Sequence, residues 1–584
     1  MDFEFAMSLK ELKHRTSKVA YKPIKLLDVK AKELKKLTMN DLLVLCHLTR
    51  AAKQFDYINL KLEHPQNENF AKFLESEIKK GNEKAILSKR LFESQKSMFS
   101  PDALGEQTKL AKNVEESLGM NYFPADLTVQ EYHEILNAML DDGSVEEVQK
   151  ILNQRTIVVR DKNKLKAVDF VDAFDEFKVV AKELELALKY SDDKDFNEYL
   201  KLQIKALKSA SPMLDAEADK VWAGLENTKF EFTITRECYD EKLNKTIYEN
   251  KQLLKRLKDL GITVYAKDSL GARVGIVNKQ GTKLLKKLKG LISVAEKFMP
   301  EQEFYKTSKA NATNLQTAVD VDIVLLSGEE GAYQAGIVVA QNLPNDDKLS
   351  LSIGGGRRNV YHRQIRKRSN KKLSKNLITA EQVKFYNPEA DHWAVICHEN
   401  AHSLGPKAHN TLGKYSAILE ELKADMGMYA FLDEFVKAGY FSENQSKQIV
   451  VTSLTKSFAK GKPSIKQDHR VRSVMICQRM MHEKAITFDD FGKLVFDYQK
   501  AEQTAITIMA EVVRLQIEAD VQKAGEYVEK WFVWDDKMEH VAEIIKKNSK
   551  TLNCYLITTL ADEFLNPEFE QNVENFYNKI KDRA

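Results

Sequence analysis

His398 and His402 stand four residues apart, with Glu399 after the first, in the run Asp391-His392-Trp393-Ala394-Val395-Ile396-Cys397-His398-Glu399-Asn400-Ala401-His402. On a helix that step places both imidazoles on one face, one turn apart, where two ring nitrogens can grip one zinc ion. Glu399 can then accept a proton from a water activated at the metal, the chemistry of H-E-x-x-H peptidases. A third ligand is needed. Glu421, in Glu420-Glu421-Leu422-Lys423-Ala424-Asp425, follows His402 after eighteen intervening residues, room enough for Gly405-Pro406 to end one helix and a second to return. Asp425 shares a helix face with Glu421 and can orient a ligand histidine through its free N–H, with Glu420 as a further supporting carboxylate. Two histidines, one carboxylate and an open fourth position describe a catalytic zinc site rather than a structural one.

H-E-x-x-H fixes only three residues and can also arise on an ordinary solvated helix. Three features favour the metal. The apolar run Trp393–Cys397 buries the helix before the motif, Gly-Pro stops it after, and a second helix follows from Lys414 to about Phe435, with Ile418, Leu422, Met426 and Tyr429 at helical spacing.

With these residues in view, the chain resembles the dipeptidyl-peptidase III family of zinc metallopeptidases. That family pairs a histidine-glutamate zinc helix with a helix reading E-E-x-x-A-[ED], and Glu420–Asp425 has that form. Most members carry H-E-x-x-G-H, whereas this chain has the five-residue His398-Glu399-Asn400-Ala401-His402. Two further segments are similar to family motifs. Glu237-Cys238-Tyr239 looks like the E-x-Y segment, whose glutamate receives the substrate's ammonium and whose tyrosine donates to the oxyanion. Asn342-Leu343-Pro344-Asn345 looks like N-[LI]-P-N, which supplies Asn342 and Asn345 to the same amino end. His469 matches a histidine that bonds the tetrahedral oxygen, with Arg472 the weaker match for its neighbouring arginine.

The resemblance implies one zinc per chain, an oligopeptide substrate and release of dipeptides from the N-terminus. It also implies an α+β fold, predominantly helical, with a helical zinc lobe facing a mixed lobe with a small barrel-like sheet across a wide cleft. On this division residues 1–227 are helical scaffold of the lower lobe and 228–350 its β-rich part with the substrate's amino-end site. Residues 351–545 are the zinc lobe and 546–584 a C-terminal helical segment.

The rest of the chain must position these residues. From about Asn40 to Glu226 the pattern is helical throughout. Strands are predicted at Lys229–Thr235, Ile262–Ala266, Ala272–Val277, Val319–Leu326 and Ala335–Ala340. Arg357 to Lys372 is the densest basic run; it reads as a solvated loop after the flexible Gly354-Gly355-Gly356, with RNA or an acidic surface as the alternative partner. From Phe488 to Ala584 the pattern is helical again.

With 43% hydrophobic and 30% charged residues, the 584-residue chain can build more than one core. Its 90 basic and 86 acidic residues leave a net charge of +4, which gives no global case for nucleic acid. Five scattered cysteines without a C-x-x-C pair argue for a reducing compartment. No apolar run reaches membrane-spanning or signal-peptide length, so the chain reads as cytoplasmic. Two other functions remain open: a single-residue zinc aminopeptidase, although no G-x-M-E-N segment is present, and a catalytically weak peptide- or RNA-binding relative.

Overall fold

The structure is a computed structural model that describes residues 3–17, 21–101, 107–237, 241–305, 315–332, 338–344, 353–365, 371–406, 411–465, 467–548 and 553–582. The chain is mostly helical and divides into two compact units. One comprises Met1–Val277, Val321–Ile337 and Leu552–Ala584; the other comprises Asn278–Asp320 and Val338–Thr551.

The first unit is built around helix α1 (Met39–Glu63), which Thr38 caps in a box with Asp41 and which packs on α2 (Glu176–Tyr190). Almost all of Asp41–Thr49 is buried, as the continuous apolar run demands. The stretch read as helical throughout also holds an antiparallel hairpin, Thr156–Asp161 with Lys164–Asp169. Its β-branched Thr-Ile-Val-Val run and a left-handed Lys162 at the turn favour strands over helix. Near the C-terminus, Asn553–Ile557 is a strand in parallel register with Tyr21–Lys25, where the pattern had suggested helix.

Five strands form one curled, open half-barrel sheet: β1 (Phe230–Glu237), β2 (Ser269–Val277), β3 (Leu315–Gly328), β4 (Ala340–Leu343) and β5 (Arg357–His362), in the order β1-β2-β3-β5-β4. The boundary between the units falls within β3. Ile262–Ala266 is not a strand. Its polar groups are satisfied outside any ladder, with Tyr265 N–H donating to Leu152 O at 3.2 Å and Tyr248 OH donating to Val264 O at 3.0 Å. The strand expected from Ala335 begins only at Ala340, and residues 333–337 lie outside the described residues.

The basic run is the largest departure. Arg357–His362 is a strand buried along its whole length, not a solvated loop. A charge run reads as solvated only while its cations lack internal acceptors, and these have them: Arg357 bonds Asn342, and Arg358 donates to Thr317 Oγ1 at 2.7 Å. Residues 366–370 of the run lie outside the described residues.

The second unit's core collects α3 (Lys279–Leu288), α4 (Pro388–Ala401), α5 (Ser416–Tyr429), α6 (Asp468–His482) and α7 (Tyr498–Glu518). The expected helix from Lys414 to Phe435 is α5 followed by a separate turn of helix at Leu432–Lys437. Among the described residues no helix is long and apolar enough to cross a membrane, and Cys46, Cys397, Cys477 and Cys554 are free thiols.

Candidate metal centre

Helix α4 begins where the sequence gives it a cap. The Asn387 side chain accepts from Glu389 N–H at 3.1 Å, Pro388 takes the first helical position, and Glu389 and Asp391 sit in the positively polarised first turn. It ends at Ala401, with His402 as the cap residue, so both histidines lie in or beside its last turn, where the helix dipole favours a cation. Gly405 then turns the chain at φ +75°, a left-handed conformation that a side chain would strain.

Helix α5 is buried on nearly every side and still carries Glu421, Lys423 and Asp425 in its interior. It can approach α4 because residue 427 is glycine: a Cβ there would lie 2.3 Å from the Ala401 Cβ. That contact sits one residue before His402.

At this crossing, one ligand atom each from His398, His402 and Glu421 lies within 4.8 Å of the others. The two Nε2 atoms are 3.2 Å apart, and Glu421 reaches His398 Nε2 at 3.4 Å and His402 Nε2 at 3.8 Å. Tetrahedral zinc with bonds of about 2.0–2.1 Å requires ligand atoms about 3.3 Å apart, close to this spacing. The other ring nitrogens are occupied. His398 Nδ1 lies 2.8 Å from Asp425 Oδ1 and His402 Nδ1 lies 3.0 Å from Glu420 Oε1. With both Nδ1 atoms placed to donate to carboxylates, the two Nε2 atoms are the ones turned toward a common point, the orientation that suits metal-binding imidazoles.

Charge leads to the same place. Glu399, Glu420, Glu421 and Asp425 set four carboxylates against two permanent cations, Lys423 and Arg472. Burial opposes protonation of His398, but Asp425 and Glu421 outweigh it and push its pKa up to about 10. Burial also raises Glu421 and Asp425, yet His469 and His398 pull Glu421 well below the ordinary carboxylate range, and Arg472 and His398 lower Asp425. Glu399 differs: burial dominates and lifts its carboxyl above the usual value. The donor set, its supports and its surplus negative charge fit a divalent cation.

Sequence reasoning named Arg472 only as a weaker motif match, and it missed Lys423 and Gln516 as supports. Arg472 donates to Glu421 Oε2 at 2.7 Å and lies 2.9 Å from Asp425 Oδ2, bracing both acids of α5. Lys423, fully buried, donates to Leu404 O at 2.9 Å and lies 2.8 Å from Glu420, while Gln516 donates to Glu420 Oε2 at 3.0 Å. A lysine inside an otherwise apolar helix face was the available signal for Lys423; Gln516 had none.

Among the remaining site residues, His469 lies at the start of α6 with its side chain 65% exposed, and its Nδ1 is 3.1 Å from Glu421 Oε2. Glu237 is the buried last residue of β1, opposite Ser269 in the register. Asn342 is buried in β4 with its side chain bonded to Arg357 and Asn359. Tyr239 and Asn345 lie outside the described residues.

Comparison with solved structures settles the architecture. A structure of DPP III from Caldithrix abyssi matches with TM-score 0.72 at 20% identity, covering 95% of this chain and 100% of that one. A structure of dipeptidyl-peptidase III from Corallococcus sp. strain EGB matches with TM-score 0.80 at 19% identity, covering 97% of this chain and 99% of that one. The chain has a dipeptidyl-peptidase III fold. No protein-family profile and no curated protein matches the sequence. At such identities the likeness is one of fold.

Proposed function

We propose that this chain is a zinc-dependent exopeptidase that hydrolyses short peptides and releases dipeptides from their N-termini. The observation that carries the reading is the convergence of His398, His402 and Glu421 with both histidine Nδ1 atoms already held by Asp425 and Glu420. The dipeptidyl-peptidase III fold supports the substrate class. His398, His402 and Glu421 would hold the zinc ion, which when bound would supply Lewis-acid chemistry at the scissile carbonyl and the attacking water.

The chain's own groups do the rest. Glu399 takes the proton of the attacking water and delivers it to the leaving amine, and its raised pKa suits a group that must both accept and release a proton. Asp425 and Glu420 fix the two imidazoles by accepting their Nδ1–H bonds, and Arg472 holds Glu421 and Asp425 in place. His469 donates to the oxygen on which charge develops, together with Tyr239. For Glu237, Tyr239, Asn342 and Asn345 the reading comes from their sequence motifs, with Glu237, Asn342 and Asn345 receiving the free amino end.

Metal analysis joined to a cleavage profile tests this. One zinc per chain, cleavage of dipeptidyl arylamides in preference to aminoacyl arylamides, and loss of both activities in Glu399→Ala are expected. Full activity in that variant would overturn the mechanism, and preference for aminoacyl arylamides would overturn dipeptide release.

A further inference from the structure

Asn400, the third residue of the metal motif, faces away from the ligand atoms. Two positions beyond His398 is a rotation of about 200° around the helix, and Asn400 is 3% exposed. Its Nδ2 donates to Leu288 O, at the end of α3, at 3.1 Å. Its Oδ1 accepts from Asn359 Nδ2 in β5, also at 3.1 Å. Asn359 and Asn342 are directly opposite in the β5–β4 register, and Asn359 Oδ1 accepts from Asn342 Nδ2. Arg357 completes the chain, its Nε donating to Asn342 Oδ1 and its Nη2 to Asn342 O at 2.8 Å.

Every amide in this buried relay donates once and accepts once in the same sense, from Arg357 through Asn342, Asn359 and Asn400 to Leu288 O. Leucines could hold the same elements together by packing alone, but apolar packing tolerates small rotations and slips, whereas a directional chain does not. Any rotation of α4 about its axis breaks the Asn400–Asn359 bond and leaves buried amide atoms without partners. The face of the helix opposite the relay carries His398 and His402.

We infer that Asn400 and Asn359 are positioning residues that lock the metal helix to strand β4, so that filling the metal site and ordering β4 are one event. This rests on the proposed function only where Asn342, in β4, is taken to receive the substrate's amino end. The locking itself depends on the bonds alone.

The test is backbone hydrogen exchange on the full chain, stripped of metal by a chelator and then with zinc added. In the unaltered protein zinc slows exchange in 388–401 and also, by about tenfold, in 340–343 and 357–362. Asn400→Leu fills the space without either bond, and zinc then slows 388–401 alone. Asn359→Leu, made from the strand side, gives the same uncoupling and covers the case in which the first variant does not fold. Zinc-induced slowing of β4 and β5 that persists in either folded variant overturns the inference. So does its absence in the unaltered protein, whatever the variants do. In kinetics, each variant keeps one zinc and raises KM for a dipeptidyl arylamide about tenfold with a smaller change in kcat. An unaltered protein that cleaves no dipeptidyl arylamide sinks the peptidase reading, while the exchange data still decide the locking.

Discussion

Lys267 in the first unit and the His398–His402–Glu421 group in the second are both buried ionisable centres, and their surroundings treat them oppositely. The three hydrogens of the Lys267 ammonium are all taken, by Ile151 O at 2.7 Å, Asn153 O at 2.9 Å and Thr156 Oγ1 at 2.7 Å. Burial lowers its pKa, and its amino group ties the segment that enters the Thr156 hairpin to the stretch just before β2. At the helix crossing Asp425, Glu420, Lys423, Gln516 and Arg472 each hold a hydrogen-bond or ion-pair partner too. Yet there the two Nε2 atoms and a Glu421 carboxylate converge on one another within 4.8 Å, as donor atoms around one ion would. Burial of charge therefore does not mark a functional site. Donor atoms held in place and aimed at a common point do.

The contrast can be broken by substitution. Glu399→Gln removes the proton acceptor and keeps the ligands; activity falls by about 10²- to 10⁴-fold, with zinc content and melting temperature unchanged, as kinetics and metal analysis on one preparation will show. Lys267→Met should behave conversely, costing roughly 3–5 kcal/mol of stability because three buried acceptors lose their partner. Denaturant unfolding measures that loss, and zinc stoichiometry stays at one; a loss of zinc would show that the two clusters are not independent. Asp425→Ala frees one imidazole and weakens zinc binding by about 10–100-fold, read by competition with a chelator.

Two smaller effects sharpen the picture. Gly427→Ala forces the Cβ of residue 427 against Ala401 and costs about 1–3 kcal/mol; zinc affinity should fall with stability, whereas an unchanged affinity would separate helix spacing from ligand geometry. The pH dependence has a definite sign. The Glu399 base works only when ionised and its pKa is raised, so kcat/KM declines as pH falls through a value above the usual glutamate range. Glu421 and Asp425 have lowered pKa values, so the stability they contribute is present above the unfolded carboxylate pKa and is lost only as pH falls through their depressed values. Activity should disappear at a higher pH than the fold, and pH–rate and pH–unfolding curves that coincide would contradict this.

How much was legible beforehand varied by residue. The zinc motif, the second helix and the supporting role of Asp425 followed from four-residue spacings, which a helix converts directly into a shared face. Strands β1, β2 and β3 were visible in their β-branched and aromatic runs. Strand β5 was hidden because its arginines looked solvated, and only their acceptors on Asn342 and Thr317 make burial tolerable. Ile262–Ala266 looked like a strand because extended conformation suits its side chains, but a ladder also needs a neighbouring strand at the right height.

The sequence by itself determined the local geometry: which helix faces carry His398, His402, Glu421 and Asp425, where Asn387-Pro388 starts the first helix and where Gly405 ends it. Only the tertiary structure decided that the two helices cross at Gly427, that Glu420 rather than solvent holds His402, and that Asn400 is tied to β5. The physical reason is that periodicity and capping act within a few residues of chain, whereas those three contacts join residues far apart in sequence through close packing and buried hydrogen bonds.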